Sequence, residues 1–349
     1  MSALSLPSSG PHFNIFTITP RTLAPEAYWE NIDEVGKLCQ RYRLTGPLLF
    51  TGNDTFVEPW VCAQALIERY RLSPLIAVNP LYMHPFTVAK MISSMAYVYG
   101  QKVFLNMVTG TAVNHAHQLN CYLDHDQKYD QMREAIEIIQ QLIEREEKAV
   151  SFDGDYYQVE GLSLCPAIPS QLRPDYFIAG HSEKANEVRD ATGAIGMKML
   201  MPELAGAVTG DRGIHFGVVT RATQAEAWVE AKKRFPDDPR GRRKLEISMK
   251  NTESVWKKRL KFAADAPDQN ENGYWLGPFR NFQADCPYFV GSHAELADLV
   301  VKLRKIGVTE LILDIPKGEV EFENAAIAFE QAESILSKAE AGTAESMIA

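Results

Sequence analysis

Two short stretches of this chain combine an apolar lead-in with small and hydroxyl residues, a pattern that brings backbone amides up to a ligand. Val103-Phe-Leu-Asn-Met-Val-Thr-Gly-Thr111 is an apolar run that ends in Thr109-Gly110 and opens into a polar loop. Ala179-Gly180-His181-Ser182-Glu183-Lys184 closes a second apolar run and starts a helical one. Glycine lets the main chain approach a ligand, serine can cap the helix, and the free amides of a helix start attract an anion. The same letters also spell an ordinary capping box with Ser182 as the cap, and the residues alone leave both readings open. Asn79 closes another apolar run, and Asn106 lies inside the run that Thr109 ends. Such amides are either satisfied by neighbouring backbone or turned to a ligand. His215, within an apolar run, is either a core imidazole or an acid–base group near neutral pH. His84, at a helix start, either faces the same site or is an ordinary loop histidine at a helix N-terminus. His115, His117 and His125 have some ligand logic, but no carboxylate or cysteine completes a recognisable spacing, so no metal site is expected. Met197, Met199 and Met201 alternate as core or pocket wall would. No serine elbow and no pair of catalytic carboxylates stands out.

These residues need elements to hold them, and the chain has the length and composition to supply them. It has 349 residues, 46% hydrophobic and 23% charged, as a globular protein has. The net charge of -9 argues against a nucleic-acid or anionic-membrane binder. Five scattered cysteines without a Cys-x-x-Cys read as reduced thiols, and residues 1–10 lack a signal peptide's basic start and apolar core. No apolar run is long enough to span a membrane. A cytoplasmic setting is therefore expected. Residues 341–349 form a tail small and polar enough to fray.

Short apolar runs predict eight strands: Phe13–Ile18, Pro47–Thr51, Pro74–Asn79, Val103–Val108, Asp175–Gly180, Ile195–Leu200, Ile214–Thr220 and Glu310–Ile315. Helical periodicity fills the segments between them, and a last helix is expected at Phe322–Lys338. Continuous apolar strands alternating with amphipathic helices mean a parallel sheet under helices. Eight units fit a closed α/β barrel, the (β/α)8 TIM barrel, and no Gly-x-Gly-x-x-Gly supports an open dinucleotide-binding sheet. The whole chain reads as one such domain with two insertions. Residues 151–174 contain a hairpin around Asp153-Gly154, with Leu162–Cys165 as the expected partner strand. Residues 237–292 form the largest insertion, between the seventh and eighth strands, with a basic start and a helix near Val255–Ala263. Its loop Trp275-Leu-Gly-Pro-Phe-Arg-Asn-Phe282 has the composition of a hinged apolar lid carrying Arg280.

The Val103–Thr111 run, together with Tyr122-Leu-Asp-His-Asp-Gln-Lys-Tyr-Asp130, resembles one family: the luciferase-like flavin-dependent monooxygenases, and within them the alkanesulfonate monooxygenase branch. There a similar Val-Thr-Gly segment precedes a Leu-Asp-His-x-x-x-Tyr segment. The likeness covers about Phe13 to Asp314 and is most specific at Asn106–Glu134. It implies FMN as cofactor, used as FMNH2. It further implies that Tyr129, Gly180, His181 and Ser182 hold the flavin phosphate, and that Asn79, Asn106, Thr109 and Gly110 line the ring. His181 departs from the small residue common there. The substrate pocket departs more. Thr51-Gly52-Asn53-Asp54-Thr55 stands where the relatives have Thr-Gly-Arg-Ser-Cys, which puts Asn53 and Thr55 at substrate positions. His215 and Gly217 match an Arg and a His, and Arg280 lies two residues off a loop arginine. Losing a bidentate guanidinium matters for a sulfonate, so that substrate is doubtful.

The resemblance implies a two-component enzyme that takes O2, an organic substrate and reduced flavin from a separate NAD(P)H:flavin reductase, and that assembles as a homodimer or homotetramer. The protein would position the flavin, exclude water and orient the substrate. Three alternatives stand beside it. One is an oxygenase tailoring a carrier-bound or natural-product intermediate. Another is a deazaflavin-dependent oxidoreductase, and the last is a flavin-binding relative without turnover.

Overall fold

The computed structural model describes residues 13–19, 24–110, 113–145, 148–202, 211–265 and 272–348, with side chains through residue 339. Its strands are β1 (Asn14–Ile18), β2 (Gly46–Leu49), β3 (Leu75–Val78), β4 (Phe104–Met107), β5 (Val150–Asp153), β6 (Gln158–Leu162), β7 (Tyr176–Ile178), β8 (Ile195–Met199), β9 (Gly213–Arg221), β10 (Tyr274–Trp275), β11 (Tyr288–Ser292) and β12 (Glu310–Asp314). The first helices are α1 (Pro25–Arg41), α2 (Pro59–Tyr70), α3 (Pro85–Tyr99), α4 (Val113–Gln118), α5 (His125–Glu144) and α6 (Glu183–Thr192). They are followed by α7 (Gln224–Arg234), α8 (Pro239–Lys250), α9 (Val255–Ala264), α10 (Gly277–Arg280), α11 (His293–Lys305) and α12 (Glu319–Ile348). Proline stands in the first turn of α1, α2, α3 and α8, where its missing N–H costs nothing.

Eight parallel strands close a barrel in the order β1, β2, β3, β4, β7, β8, β9, β12, with β12 returning to β1 and β8 pairing with β9. Strands β2, β3 and β4 are buried along their whole length, as continuous apolar runs between helices and a barrel interior must be. The interior is a layer of side chains from successive strands, including Phe16, Leu48, Leu75, Phe104, Phe177 and Ile312. Phe16 packs edge-on against Phe104 and Phe177, with centroids at 5.0 and 5.7 Å. Gly213 faces inward on β9: a Cβ there would lie 1.9 Å from the Met197 sulfur, so the glycine makes room for that side chain. No helix among the described residues is long and apolar enough to cross a membrane.

Two additions depart from the sequence expectation. The hairpin is present, but Val150–Asp153 pairs with Gln158–Leu162, not with a strand at Leu162–Cys165. Buried Glu134 on α5 accepts the N–H groups of Asp155, Tyr156 and Tyr157, so its carboxylate closes the turn and fixes the register. Second, the large insertion carries a ninth parallel strand. Residues 213–215 of β9 pair with β8, and residues 217–221 pair with β11. Gly217 sits at the fork, where a Cβ would lie 2.2 Å from the Tyr288 ring. The helix α8 was also not expected. The side chains of the tail 341–349 lie outside those described.

Candidate active site

The loops after β1, β2, β3, β4 and β7 surround a cavity of about 520 Å³ at the C-terminal mouth of the barrel. That face and that size suit a small-molecule site. Asn79, Asn106, Thr109, Gly110, Tyr129, Gly180, His181, Ser182, Thr55 and His215 all line it. These are most of the residues singled out from sequence, brought together from six elements of the fold.

One end of the cavity is a cluster of hydroxyls around a glycine. Tyr129, 7% exposed, hydrogen-bonds through its phenol to Thr109 and Ser182. Burial raises its pKa, and those two bonds pull the other way. Gly180 leaves the space the phenol needs: a Cβ would lie 2.7 Å from the Tyr129 oxygen and 2.4 Å from the Ala185 Cβ. Ser182 does cap α6, accepting the Ala185 N–H at 3.2 Å, so the bland reading and the ligand reading describe one residue. His181 accepts the Met199 N–H on Nε2 at 3.4 Å. Burial first, then the charges of Lys198 and Arg259, push its pKa down to about 4, so the ring is neutral, with Nε2 as acceptor and the proton left on Nδ1. Lys198 was missed. It stands inside an apolar strand and donates to the Gly180 carbonyl at 2.7 Å and to Asn186 at 3.1 Å. Burial lowers its pKa, with Asp211 opposing. A lysine breaking the run Ile195-Gly-Met-Lys-Met199 was the signal that could have found it.

Deeper in the barrel, Asn106 is 7% exposed, and its side-chain oxygen has no hydrogen-bond partner. A buried carbonyl left unpaired costs about 1–3 kcal/mol, which a ligand N–H in the cavity would recover. Asn79 accepts the Leu81 N–H at 3.0 Å and so fixes the loop after β3. His215 is half-buried beside Met199 on the inner face of β9.

Other expectations are corrected. Asn53 does not line the cavity. Its amide donates to the His115 carbonyl and to Gln118, and its oxygen accepts from the Tyr82 hydroxyl, so it stitches the loop after β2 to α4. Gly217, matched to a relative's histidine, packs under Tyr288, where no side chain fits. His84 caps α3 by accepting the Phe86 N–H, and it too is absent from the cavity wall. Among the described residues no three His, Cys, Asp or Glu side chains group as a metal site would.

The stretch Trp275–Phe282 is no apolar cover over the site. Trp275, Leu276 and Phe279 are buried, and Trp275 packs on Trp228 and Phe235. Arg280 donates Nε–H to the Ala264 carbonyl at 2.8 Å and does not reach the cavity. Its apolar residues join the core that the insertion shares with α7 and β9. The part of the insertion that does face the cavity is Glu253–Lys257, with Asp285. Lys128 holds Glu253 at 2.8 Å, and Lys257 lies 3.9 Å from Asp285. No arginine lines the cavity among the described residues.

The sequence profile described as luciferase-like monooxygenase matches residues 15–310. A relative from Niallia circulans, the 4-(gamma-L-glutamylamino)butanoyl-[BtrI acyl-carrier protein] monooxygenase, is 29% identical over 307 residues, 84% of this chain and 89% of its own. The solved EDTA monooxygenase from Chelativorans sp. BNC1 superposes with a TM-score of 0.69 at 15% identity, covering 94% of each chain. An F420-dependent secondary alcohol dehydrogenase, solved with an F420-acetone adduct, superposes with a TM-score of 0.65 at 14% identity, covering 92% of this chain and 99% of that one. Structural likeness at these identities shows the barrel fold.

Proposed function

The chain belongs to the luciferase-like monooxygenase family, and from that premise we propose that it oxygenates an acyl group held on a carrier protein, using FMNH2 from a separate NAD(P)H:flavin reductase. The observation that carries the proposal is the make-up of the cavity wall. It has hydroxyl and amide donors around Gly180 and an unpartnered buried carbonyl at Asn106, but no guanidinium for a sulfonate. The Niallia circulans relative, which by its name acts on a carrier-bound acyl group, supports the choice of substrate.

In this reading Thr109, Tyr129, His181 and Ser182 donate to the flavin phosphate, and Lys198 and Arg259 add positive charge around it. Asn106 would offer its unpartnered carbonyl to an N–H of the ring. When bound, reduced flavin activates O2 and supplies one oxygen atom to the substrate, the other leaving as water. Trp256 and Val255, from the start of α9, line the cavity, where their apolar surface would help exclude water. His215 holds or passes a proton at the substrate end, with Thr55 opposite as a hydroxyl donor. Five free cysteines fit a cytoplasmic setting. Exposed Val61, Tyr97 and Val98, on α2 and α3, give a homodimer or homotetramer an apolar face, which sedimentation at several concentrations checks.

The deciding experiment mixes the protein with reduced FMN, O2 and one acyl group in two forms, loaded on a carrier protein and as the free acid. Intact-mass analysis should show one added oxygen on the loaded carrier alone. Oxygenation of the free acid or of an alkanesulfonate instead would overturn the substrate assignment. Activity with a reduced deazaflavin but not with FMNH2 would overturn the cofactor.

A further inference from the structure

Residues 237–265 hold nine basic and five acidic side chains, a net +4, in a chain whose net charge is -9. The excess lies on two helices, the second of which starts at the cavity with Val255, Trp256 and Lys257. On α8, Gly241 and Leu245 are buried, and Arg240, Arg243, Lys244, Ile247 and Lys250 face out. On α9, Leu260 and Ala264 are buried, and Lys258, Arg259 and Phe262 face out. Glu246 and Lys261 join the helices at 2.9 Å, and each is the neighbour in sequence of an exposed apolar residue. Ile247 is 68% exposed and Phe262 84%. One turn before Phe262, Lys258 lines an open groove of about 540 Å³. That groove shares His125, Ser182, Glu253 and Val255 with the cavity.

We propose that the outer faces of α8 and α9 dock the acidic carrier protein that presents the substrate. The inference rests on the carrier-bound substrate proposed above. A positive patch on an acidic protein steers an acidic partner and fixes its orientation. Two exposed apolar residues framed by cations match the anatomy of a protein interface, an apolar centre inside a charged rim. They suit a phosphate backbone less well. They also make a poor membrane anchor, because α8 spends its other apolar residues on the protein core. Docking beside Lys258 places a substrate arm at the groove that leads to the cavity.

The test uses a fluorescently labelled, phosphopantetheinylated acyl-carrier protein, the one in the relative's name, and measures anisotropy with the full-length protein at low ionic strength. Wild type should bind, and added salt should weaken binding. The double variant Arg243→Glu with Lys244→Glu should bind about tenfold or more weakly, the scale of losing two favourable rim charges and gaining two repulsive ones. Neither residue lines the cavity, so melting temperature and reduced-flavin affinity should stay at wild-type values. Phe262→Ser should weaken binding without changing its salt dependence. No binding by wild type, unchanged binding by the double variant, or equal competition from duplex DNA or phosphatidylserine vesicles would overturn the assignment. The two proposals separate cleanly. Salt-sensitive binding lost in the variant, with no oxygenation of the loaded carrier, keeps the docking face and removes the reaction. Oxygenation of the loaded carrier that the double variant leaves unchanged does the reverse.

Discussion

The rim built by the tips of β3, β4 and β7 and the segment 237–292 both face the cavity, yet they hold their side chains by different means. On the rim, short-range backbone bonds fix each group. Asn79 caps its own turn, Ser182 caps α6, and Gly180 admits the Tyr129 phenol. In the insertion, distant aromatics do the holding. Trp275, Trp228, Phe235 and Tyr288 pack well away from the cavity, and the stretch that touches it, Glu253–Lys257, is held by side chains reaching in from α5 and from Asp285. Rim substitutions should therefore change ligand binding at little cost in stability, and insertion-core substitutions should do the opposite.

The largest effect expected from that contrast is on stability. Trp275→Ala should cost about 3–5 kcal/mol, as truncating a buried tryptophan does, read as a shift in urea midpoint. Trp256→Ala, at the cavity, should leave the midpoint nearly in place and lower turnover. If both substitutions destabilise alike, the division between packing and covering residues fails. Next in size, Tyr129→Phe should weaken reduced-flavin binding by about 1–2 kcal/mol in anaerobic titration, the loss of one hydrogen bond to a charged group. Unchanged affinity with intact fold would take Tyr129 out of the phosphate site. Smaller still, Arg280→Ala should cost about 1 kcal/mol of stability for its bond to Ala264 and keep kcat/KM within about twofold of wild type. A large drop in turnover would restore Arg280 to the substrate.

A pH dependence tests the rim from another side. His181 has its pKa lowered to about 4, against 6.5 for an ordinary imidazole, by burial and by Lys198 and Arg259. The unfolded chain thus binds the extra proton first as pH falls, so the contribution is complete above about 6.5 and is lost progressively toward about 4. His181→Asn should flatten the melting temperature across that window. An unchanged slope would mean that other groups carry the acid sensitivity.

The barrel was legible because its strands are continuous apolar runs such as Val103–Val108, a pattern set by burial on both faces. The rim was legible for a related reason: Thr109-Gly110 and Gly180-His181-Ser182 reach the cavity wall through backbone turns that a few adjacent letters specify. The strand Tyr288–Ser292 was not, since three apolar residues followed by Gly-Ser inside a long insertion look like any loop once eight strands are counted. Trp275 and Phe279 misled because composition shows that aromatics will be buried without showing against what. Glu253 and Trp256 were hidden for the same reason, as their place at the cavity depends on partners more than a hundred residues away, Lys128 among them.

The fork in β9 has a mechanical consequence. A lid that swings freely needs a hinge with no hydrogen bonds across it, and here the strand that enters the barrel wall goes on without a break to pair with Tyr288–Ser292. The Gly217 N–H, at the fork itself, donates to the Pro287 carbonyl at 2.8 Å. Amides along 217–221 and 288–292 should then exchange with solvent only when the whole barrel opens, as one cooperative unit. Excising the insertion would cut into that unit. Breathing at the cavity is left to the stretch around Glu253–Lys257, whose ties are ion pairs that loosen one at a time.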